Sequence, residues 1–352
     1  MGFEGKSLYV KNQLSMIINN KKAGDPPLSG KPTIKDVAAQ AGVSEATVSR
    51  ALNHSDQVKP ATQHKIQQIA QQLGYHPNGL ARSIRVQHTH TLGMIIPDIL
   101  NAFFTQIVRA VEDAADATGY DVFIVNTDEH LDRESKALNL MLEKQVDGVI
   151  IASAGGPTNY VEWLGGTPAV FVDRMPPALI ARQYDRVLVD NVQATQAVVT
   201  QLIRRGAKRI GIINSAVSVT ATERLQGYHQ ALAAAGRPFD AAIETTAWTD
   251  NSNVAQMTRQ LLVNQQCDGL FAADNTIMDT VLHRIPELDL APFQLGGFDD
   301  QDWFDFLPYH IVTAQQPIVQ LGQTAVDRLI AQITQPDVEP QEFRLPATIV
   351  TH

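Results

Sequence analysis

A single cysteine, Cys267, in 352 residues leaves no partner for a disulfide and too few thiols for a Cys-based zinc site. No stretch approaches the roughly 18 uninterrupted apolar residues that a membrane span needs, so no membrane partner is expected. Aromatics are sparse at 6% and charged residues modest at 18%, while an apolar share of 44% fits a globular chain of two or three domains. The N-terminal segment has no long apolar core followed by a small-residue cleavage site, so a cytoplasmic location is expected. Catalytic signatures are missing as well: there is no Gly-x-Gly-x-x-Gly, Walker loop, Gly-x-Ser-x-Gly or His-Glu-x-x-His. The ten histidines are scattered, and His88 and His90 lack Cys or His partners at ligand spacing. No enzyme, metal or cofactor is expected.

Charge is unevenly placed. Residues 31–85 carry seven Lys/Arg against three acids, a net of +4, and residues 1–30 add +2, so the remainder of a chain with net charge −9 holds −15. A small basic head on a large acidic body is the layout of a nucleic-acid reader joined to something else. Residues 1–30 show no sustained period and end in Ala-Gly-Asp-Pro-Pro-Leu-Ser-Gly, which predicts a disordered extension. Met16 is an alternative start.

From Thr33 the pattern is helical in short pieces. Thr33 caps a segment with apolar Ile34, Val37, Ala38 and Ala41, and Gly42 stops it. Ser44 caps a second helix through Leu52, Pro60 opens a third that ends at Gly74, and Pro77-Asn78 begins a last short one reaching Arg85. The first two read as a helix-turn-helix over 31–76, with Glu45, Ala46 and Ser49 on the outward face of the second helix. Thr33, Ser44, Thr47 and Ser49, with Arg50 and Asn53, offer hydroxyl, guanidinium and amide groups for phosphates or bases. Glu45 either accepts from a cytosine amino group or serves as a first-turn dipole partner.

After His90 the rhythm changes. Strand-like runs over 91–97, 120–127, 146–153, 168–173, 186–190, 209–214, 243–248, 269–274 and 293–298 alternate with amphipathic stretches over 103–118, 134–145, 192–205 and 224–235. A last strand-like run covers 343–350. Apolar strands followed by amphipathic helices predict parallel sheets covered on both faces, divided into two doubly wound subdomains. Polar residues gather at the strand ends, where such folds bind ligands: Asp98, Asp173-Arg174, Asp190-Asn191, Asp274-Asn275 and Asp299-Asp300.

The segment Thr33-Ile-Lys-Asp-Val-Ala, Ala-Gly-Val-Ser44, Ala-Thr-Val-Ser-Arg-Ala-Leu-Asn53 and Leu73-Gly-Tyr-His-Pro-Asn-Gly-Leu-Ala-Arg-Ser-Ile-Arg85 resembles the LacI/GalR family of bacterial transcription regulators. The resemblance continues through Asn101-Ala-Phe-Phe104, Val172-Asp-Arg174, Glu223-Arg-Leu-Gln-Gly-Tyr228, Gly297-Phe-Asp-Asp300 and Gln316-Pro317, leaving only residues 1–30 outside. It implies a palindromic operator DNA partner, a small sugar or sugar-derivative effector and a homodimer. It also implies a hinge helix within 77–90, where Asn78, Ala81, Arg82, Ile84 and Arg85 meet the minor groove. Ile84 stands where the family usually has a wedging leucine. Lys59, Arg82 and Arg85 become phosphate contacts, with steep salt dependence.

The body then resembles periplasmic sugar-binding proteins. Its N-subdomain is expected at about 91–190 plus 315–335, and its C-subdomain at about 191–314 plus 336–352. Effector contacts carry over to Phe103, Phe104, Asp173, Arg174, Arg224, Trp248, Asp274 and Asp299. Carboxylates and arginine suit vicinal hydroxyls, and aromatic rings stack on a sugar's apolar face. Trp248 is alternatively a buried packing residue, and one of the two phenylalanines is core. The family usually reads Asn-Asp where this chain has Asp274-Asn275. Trp303, in an aromatic and acidic segment, is expected to help close the pocket. The fold expected is an all-α helix-turn-helix head plus an α/β body of two parallel-sheet subdomains, acting as a sugar-responsive repressor. An activator, a corepressor-dependent regulator, an extracytoplasmic sugar-binding protein and an enzyme are the alternatives.

Overall fold

The helical pattern of the head becomes three helices in the computed structural model, which describes residues 32–53, 57–75, 88–155, 159–175, 182–216, 219–248, 250–290, 292–335 and 337–352. They are α1 (Ile34–Ala41), α2 (Glu45–Asn53) and α3 (Pro60–Leu73). The Asp36 carboxylate accepts from both the Thr33 N–H and the Thr33 hydroxyl at 2.7 Å, closing the first turn of α1. Gly42 ends α1 at φ 70°, a left-handed position that a Cβ would strain. The Thr47 N–H donates to Ser44 Oγ at 3.2 Å, which starts α2. Val37, Ala41, Val48, Ile66 and Ile69 form the core between the three helices. The expected hinge helix and the extension lie outside the described residues.

Residues 86–352 form the second unit. Its first sheet contains β1 (Thr91–Ile96), β2 (Asp121–Asn126), β3 (Gly148–Ile151), β4 (Ala169–Val172), β5 (Asp185–Val189) and β11 (Glu342–Leu345). They lie in the order β11-β5-β4-β3-β1-β2, all parallel. The second sheet contains β6 (Ile210–Asn214), β7 (Glu244–Thr246), β8 (Gly269–Ala272), β9 (Gln294–Phe298), β10 (Ile311–Gln315) and β12 (Thr348–Thr351). Its order, β12-β10-β9-β8-β6-β7, mirrors the first, with only β12 antiparallel.

Two expectations need correction. The strand-like run over 343–350 is two strands, because Pro346 has no N–H to continue a ladder and the chain there passes from one sheet to the other. The boundary expected near 336 therefore falls near 346, and residues 342–345 pair with the first sheet through β5.

Both faces of each sheet are covered, which is why β3, β4, β6 and β8 are buried at every position. On the first sheet, α4 (Ala102–Asp116) and α11 (Ile318–Thr334) cover one face through Ile107, Val111, Ala325 and Leu329. The other face is covered by α5 (Leu131–Glu143) and α6 (Tyr160–Leu164). On the second sheet, α7 (Asn191–Arg204) packs beside α8 (Val219–Ala234). Opposite them lie α9 (Val254–Arg259), extended by a π turn at Gln260–Asn264, and α10 (Asn275–Arg284). Gly322 lets α11 approach α4 so closely that a Cβ there would stand 2.6 Å from Ala110 Cβ. The chain crosses between the sheets three times, after β5, after β10 and after β11, always on the side of the edge strands.

Candidate functional site

The carboxyl ends of β4 and β9 each finish in an aspartate with left-handed backbone, Asp173 at φ 59° and Asp299 at φ 64°. Aspartate tolerates this region better than most residues, and the turn takes each side chain off the sheet. Their N–H groups still donate to the neighbouring strands, Asp173 to the Val187 carbonyl at 2.9 Å and Asp299 to the Ala314 carbonyl at 3.1 Å. Arg224, on α8, comes to the same place. Its Nε donates to Asn191 Oδ1 at 3.0 Å, its Nη1 to the Ala273 carbonyl at 2.7 Å, and its guanidinium lies 3.8 Å from the centre of the Phe298 ring. Asp173, Arg224 and Asp299 are 5%, 6% and 8% exposed, so three charges stand where only partners make them tolerable.

Burial dominates their titration. It pushes the Asp173 carboxyl up, against the pull of the Arg224 and Arg174 guanidiniums. It pushes Asp299 up to about 6, opposed by Arg224 and by the Gln316 amide, whose Nε2 donates to Asp299 Oδ1 at 2.6 Å. Arg174 is already claimed by Glu129: its Nη1 donates to Oε1 at 2.8 Å and to Oε2 at 2.6 Å, with the Phe104 ring 5.1 Å away.

These groups line a cavity of about 200 Å³ between the two sheets, outside the carboxyl ends of the strands. Phe103 and Phe104 both reach its wall while also belonging to the first sheet's core, with ring centres 5.2 Å apart. Asp274 lines it too, but its Oδ1 accepts from the Ile277 N–H at 2.9 Å and the Thr276 hydroxyl at 2.8 Å, so it caps α10 as well. Across the mouth, Asn275 Nδ2 donates to Asn101 Oδ1 at 2.7 Å and Asn101 Nδ2 donates back to Asn275 Oδ1 at 3.3 Å. This reciprocal amide pair ties the loop after β1 to the loop after β8. Among the described residues, Asp173 Oδ1 and Gln316 Oε1 are buried acceptors with no hydrogen-bond partner. A larger depression of about 450 Å³ beside α7 and β12 is open and lined by glutamines, without a buried ion pair.

Neither tryptophan lines the cavity. β7 stops at Thr246, short of the expected 248, and Trp248 is 65% exposed although Asp250 and Asn251 of the same loop reach the wall. Trp303 stands in a 3₁₀ turn that sends Phe304 into the core, and the Trp303 ring packs on it with centres 4.6 Å apart. Asn101, Glu129 and Gln316 are site residues that the sequence does not single out as effector contacts, and Asn275, noted there at a strand end, joins the site through Asn101. Gln316 carried the same signal as the aspartates, a polar residue at a strand end, but the run over 311–315 was not read as a strand.

On the head, Thr33, Ser44, Glu45, Ala46, Arg50 and Lys59 are exposed, and Thr47 and Ser49 are half-buried. Ser44 Oγ and Thr47 Oγ1 hydrogen-bond each other at 2.9 Å. The side chain of Asn53, and Asn78, Ala81, Arg82, Ile84 and Arg85, lie outside the described residues.

Three profiles of known families match the chain. "Bacterial regulatory proteins, lacI family" covers residues 33–78, "Periplasmic binding proteins and sugar binding domain of LacI family" residues 89–273, and "Periplasmic binding protein-like domain" residues 199–352. Catabolite control protein A of Priestia megaterium is 31% identical over 328 residues, covering 90% of this chain and 97% of its own. The ribose operon repressor of Halalkalibacterium halodurans is 32% identical over 327 residues, covering 90% and 95%. Among solved structures, the transcriptional regulator CelR in complex with cellobiose aligns at TM-score 0.67 and 26% identity, covering 91% of this chain and 98% of its own. The Lac repressor dimer bound to operator and an anti-inducer shares the fold at TM-score 0.76 and 24% identity, over 91% and 98%.

Proposed function

Because this chain belongs to the LacI family of bacterial regulatory proteins, DNA-binding transcription regulators rather than enzymes, we propose that it represses a carbohydrate-utilisation operon and senses a small ring sugar or sugar derivative. The observation that carries the sensing half is the buried Asp173–Arg224–Asp299 group at the strand ends of both sheets. Paired carboxylates and a guanidinium match vicinal hydroxyls, and leaving them unmatched penalises a wrong ligand. A cavity of about 200 Å³ lies below the roughly 300–1,000 Å³ of drug-sized pockets, which suits one ring.

The reading half rests on α2. Ser44, Glu45, Ala46, Thr47 and Ser49 sit at its start for base edges, while Thr33, Arg50, Asn53 and Lys59 serve phosphates. Residues Asn78, Ala81, Arg82, Ile84 and Arg85 supply the minor-groove contact, and two copies read a palindromic operator as a cytoplasmic homodimer. An effector that prefers one pose of the two subdomains shifts operator affinity by its differential binding, typically about 1–3 kcal/mol.

Fluorescence anisotropy on a palindromic site with a central C·G step, titrated with sugars, sugar phosphates and sugar acids, tests the proposal. Salt-sensitive binding that one ligand releases is the expected result. Binding only in the presence of a ligand identifies a corepressor-dependent regulator instead. No binding under any condition overturns the regulatory reading.

A further inference from the structure

Asp173, Asp274 and Asp299, from the ends of three strands, share one cavity with Arg224. Arg174 pulls on Asp173, but its own charge is matched by Glu129, which holds its guanidinium through both carboxylate oxygens. Arg224, the other arginine in the wall, acts on Asp173 and Asp299 and spends Nε and Nη1 on Asn191 and the Ala273 carbonyl. The crowding is felt within the group: Asp173 and Asp274 both add to the upward push on Asp299. The cavity wall carries six acids, Asp98, Glu129, Asp173, Asp250, Asp274 and Asp299, against two arginines, Arg174 and Arg224.

The hydrogen-bond census leans the same way. Asp173 Oδ1 and Gln316 Oε1 are both acceptors, both on residues 5% exposed, both in the cavity wall, and both without a partner among the described residues. A buried acceptor left without a donor is costly. A phosphate or carboxylate ligand would add charge of the wrong sign and no donors. A neutral hydroxyl fills an acceptor and leaves the charge excess in place. A protonated amine supplies up to three N–H donors and a positive charge at one point, and its bonds to carboxylates are of the charge-assisted kind.

We propose that the effector is an amine-bearing polyol, a sugar-like ring whose ammonium group is held by Asp173 Oδ1, Gln316 Oε1 and Asp299, with Asp274 completing the negative surround. This assignment rests on the cleft being the effector site. Phe103 and Phe104 then face the apolar side of the ring, and Arg224 remains for a hydroxyl.

Calorimetry on the full-length protein at neutral pH tests this with aminodeoxy hexoses and pentoses, their hydroxyl parents and their phosphates. At least one aminodeoxy sugar should bind at least about tenfold tighter than its parent, as charge-assisted bonds imply. Asp274→Asn keeps a good cap on α10 and removes one charge, so it should bring that ratio toward one. An unchanged ratio removes Asp274 from the arrangement. Parents that bind as tightly as every amine, or a phosphate that binds tightest, overturn the amine and leave the effector site standing. If no ring of any class binds, both fall.

Discussion

Arg224 couples two kinds of work in one side chain. It balances Asp173 and Asp299 inside the cleft, and it pins α8 to the start of α7 and to the end of β8 through Asn191 and Ala273. None of these contacts involves the helical head, so Arg224→Ala should keep operator affinity within about twofold in a folded protein and abolish the effector response. Anisotropy with and without the effector measures both. Loss of operator binding in a folded variant would sink its assignment to the effector site.

Asp299 gives the sharpest pH test. Its folded pKa of about 6 lies above the ordinary 3.8, so the folded state holds more protons than the unfolded one between those values. Stability from this group therefore falls as pH rises from about 4 through 6, and the ionised carboxylate is a burden at pH 7.5. Asp299→Asn should be more stable than the parent protein at pH 7.5, by on the order of 2 kcal/mol, and lose that advantage toward pH 4. Urea unfolding at both pH values reads it. Asp173, Asp274 and Asp299 are legible in the sequence because charge at an apolar strand's end is conspicuous, whereas Glu129, beyond the end of β2, is not. Nor is Asn101: it draws its meaning from Asn275, 174 positions away, and no local pattern carries a pairing that distant.

At the scale of elements, close packing of helices governs more than helix propensity does. Alanine for glycine inside a helix is worth up to about 1 kcal/mol in its favour. At Gly322, however, the new Cβ would meet Ala110 Cβ at 2.6 Å and the Ala110 carbonyl carbon at 2.8 Å, and backbone cannot swing aside as a side chain does. Overpacking costs typically about 1–3 kcal/mol, so Gly322→Ala should be net destabilising and lower the melting temperature of the body by a few degrees. A rise in melting temperature would show that α4 and α11 part without cost.

Most strands were readable from their apolar runs, and the helices of the head from their caps and stops. The exceptions have physical reasons. The run over 311–315 is short and bounded by His310 and Gln316, with no glycine or proline directly beside it. The run over 343–350 looks continuous because both halves are half-buried edge strands of similar composition, and only Pro346 betrays the change of sheet. The expected stack on Trp248 failed for a matter of two residues, where β7 ended.

For the whole molecule, the Asn101–Asn275 pair is the contact that most directly opposes the crossings. The crossings lie at the β11-β5 and β12-β10 edges of the two sheets, while the pair joins the ends of β1, three strands from β5, and β8, two strands from β10. Asn275→Ala removes the pair and leaves the Asn101 oxygen on the Phe103 N–H, so α4 keeps its cap. The expected outcome is a wider cleft, read as a larger radius of gyration in solution scattering, and an effector affinity lowered by about threefold to tenfold. An unchanged radius and affinity would mean that the pair holds nothing closed.

The geometry of that pair sets how the protein responds to a graded signal. Three strand spacings separate β5 from β1, a lever of about 14 Å. A rotation of about 10° at the crossings thus moves the mouth by about 2.5 Å, enough to carry amide bonds of ordinary length out of reach. The two bonds are reciprocal and break together. The expected response to effectors of different strength is therefore a change in how often the cleft is shut and not in how far.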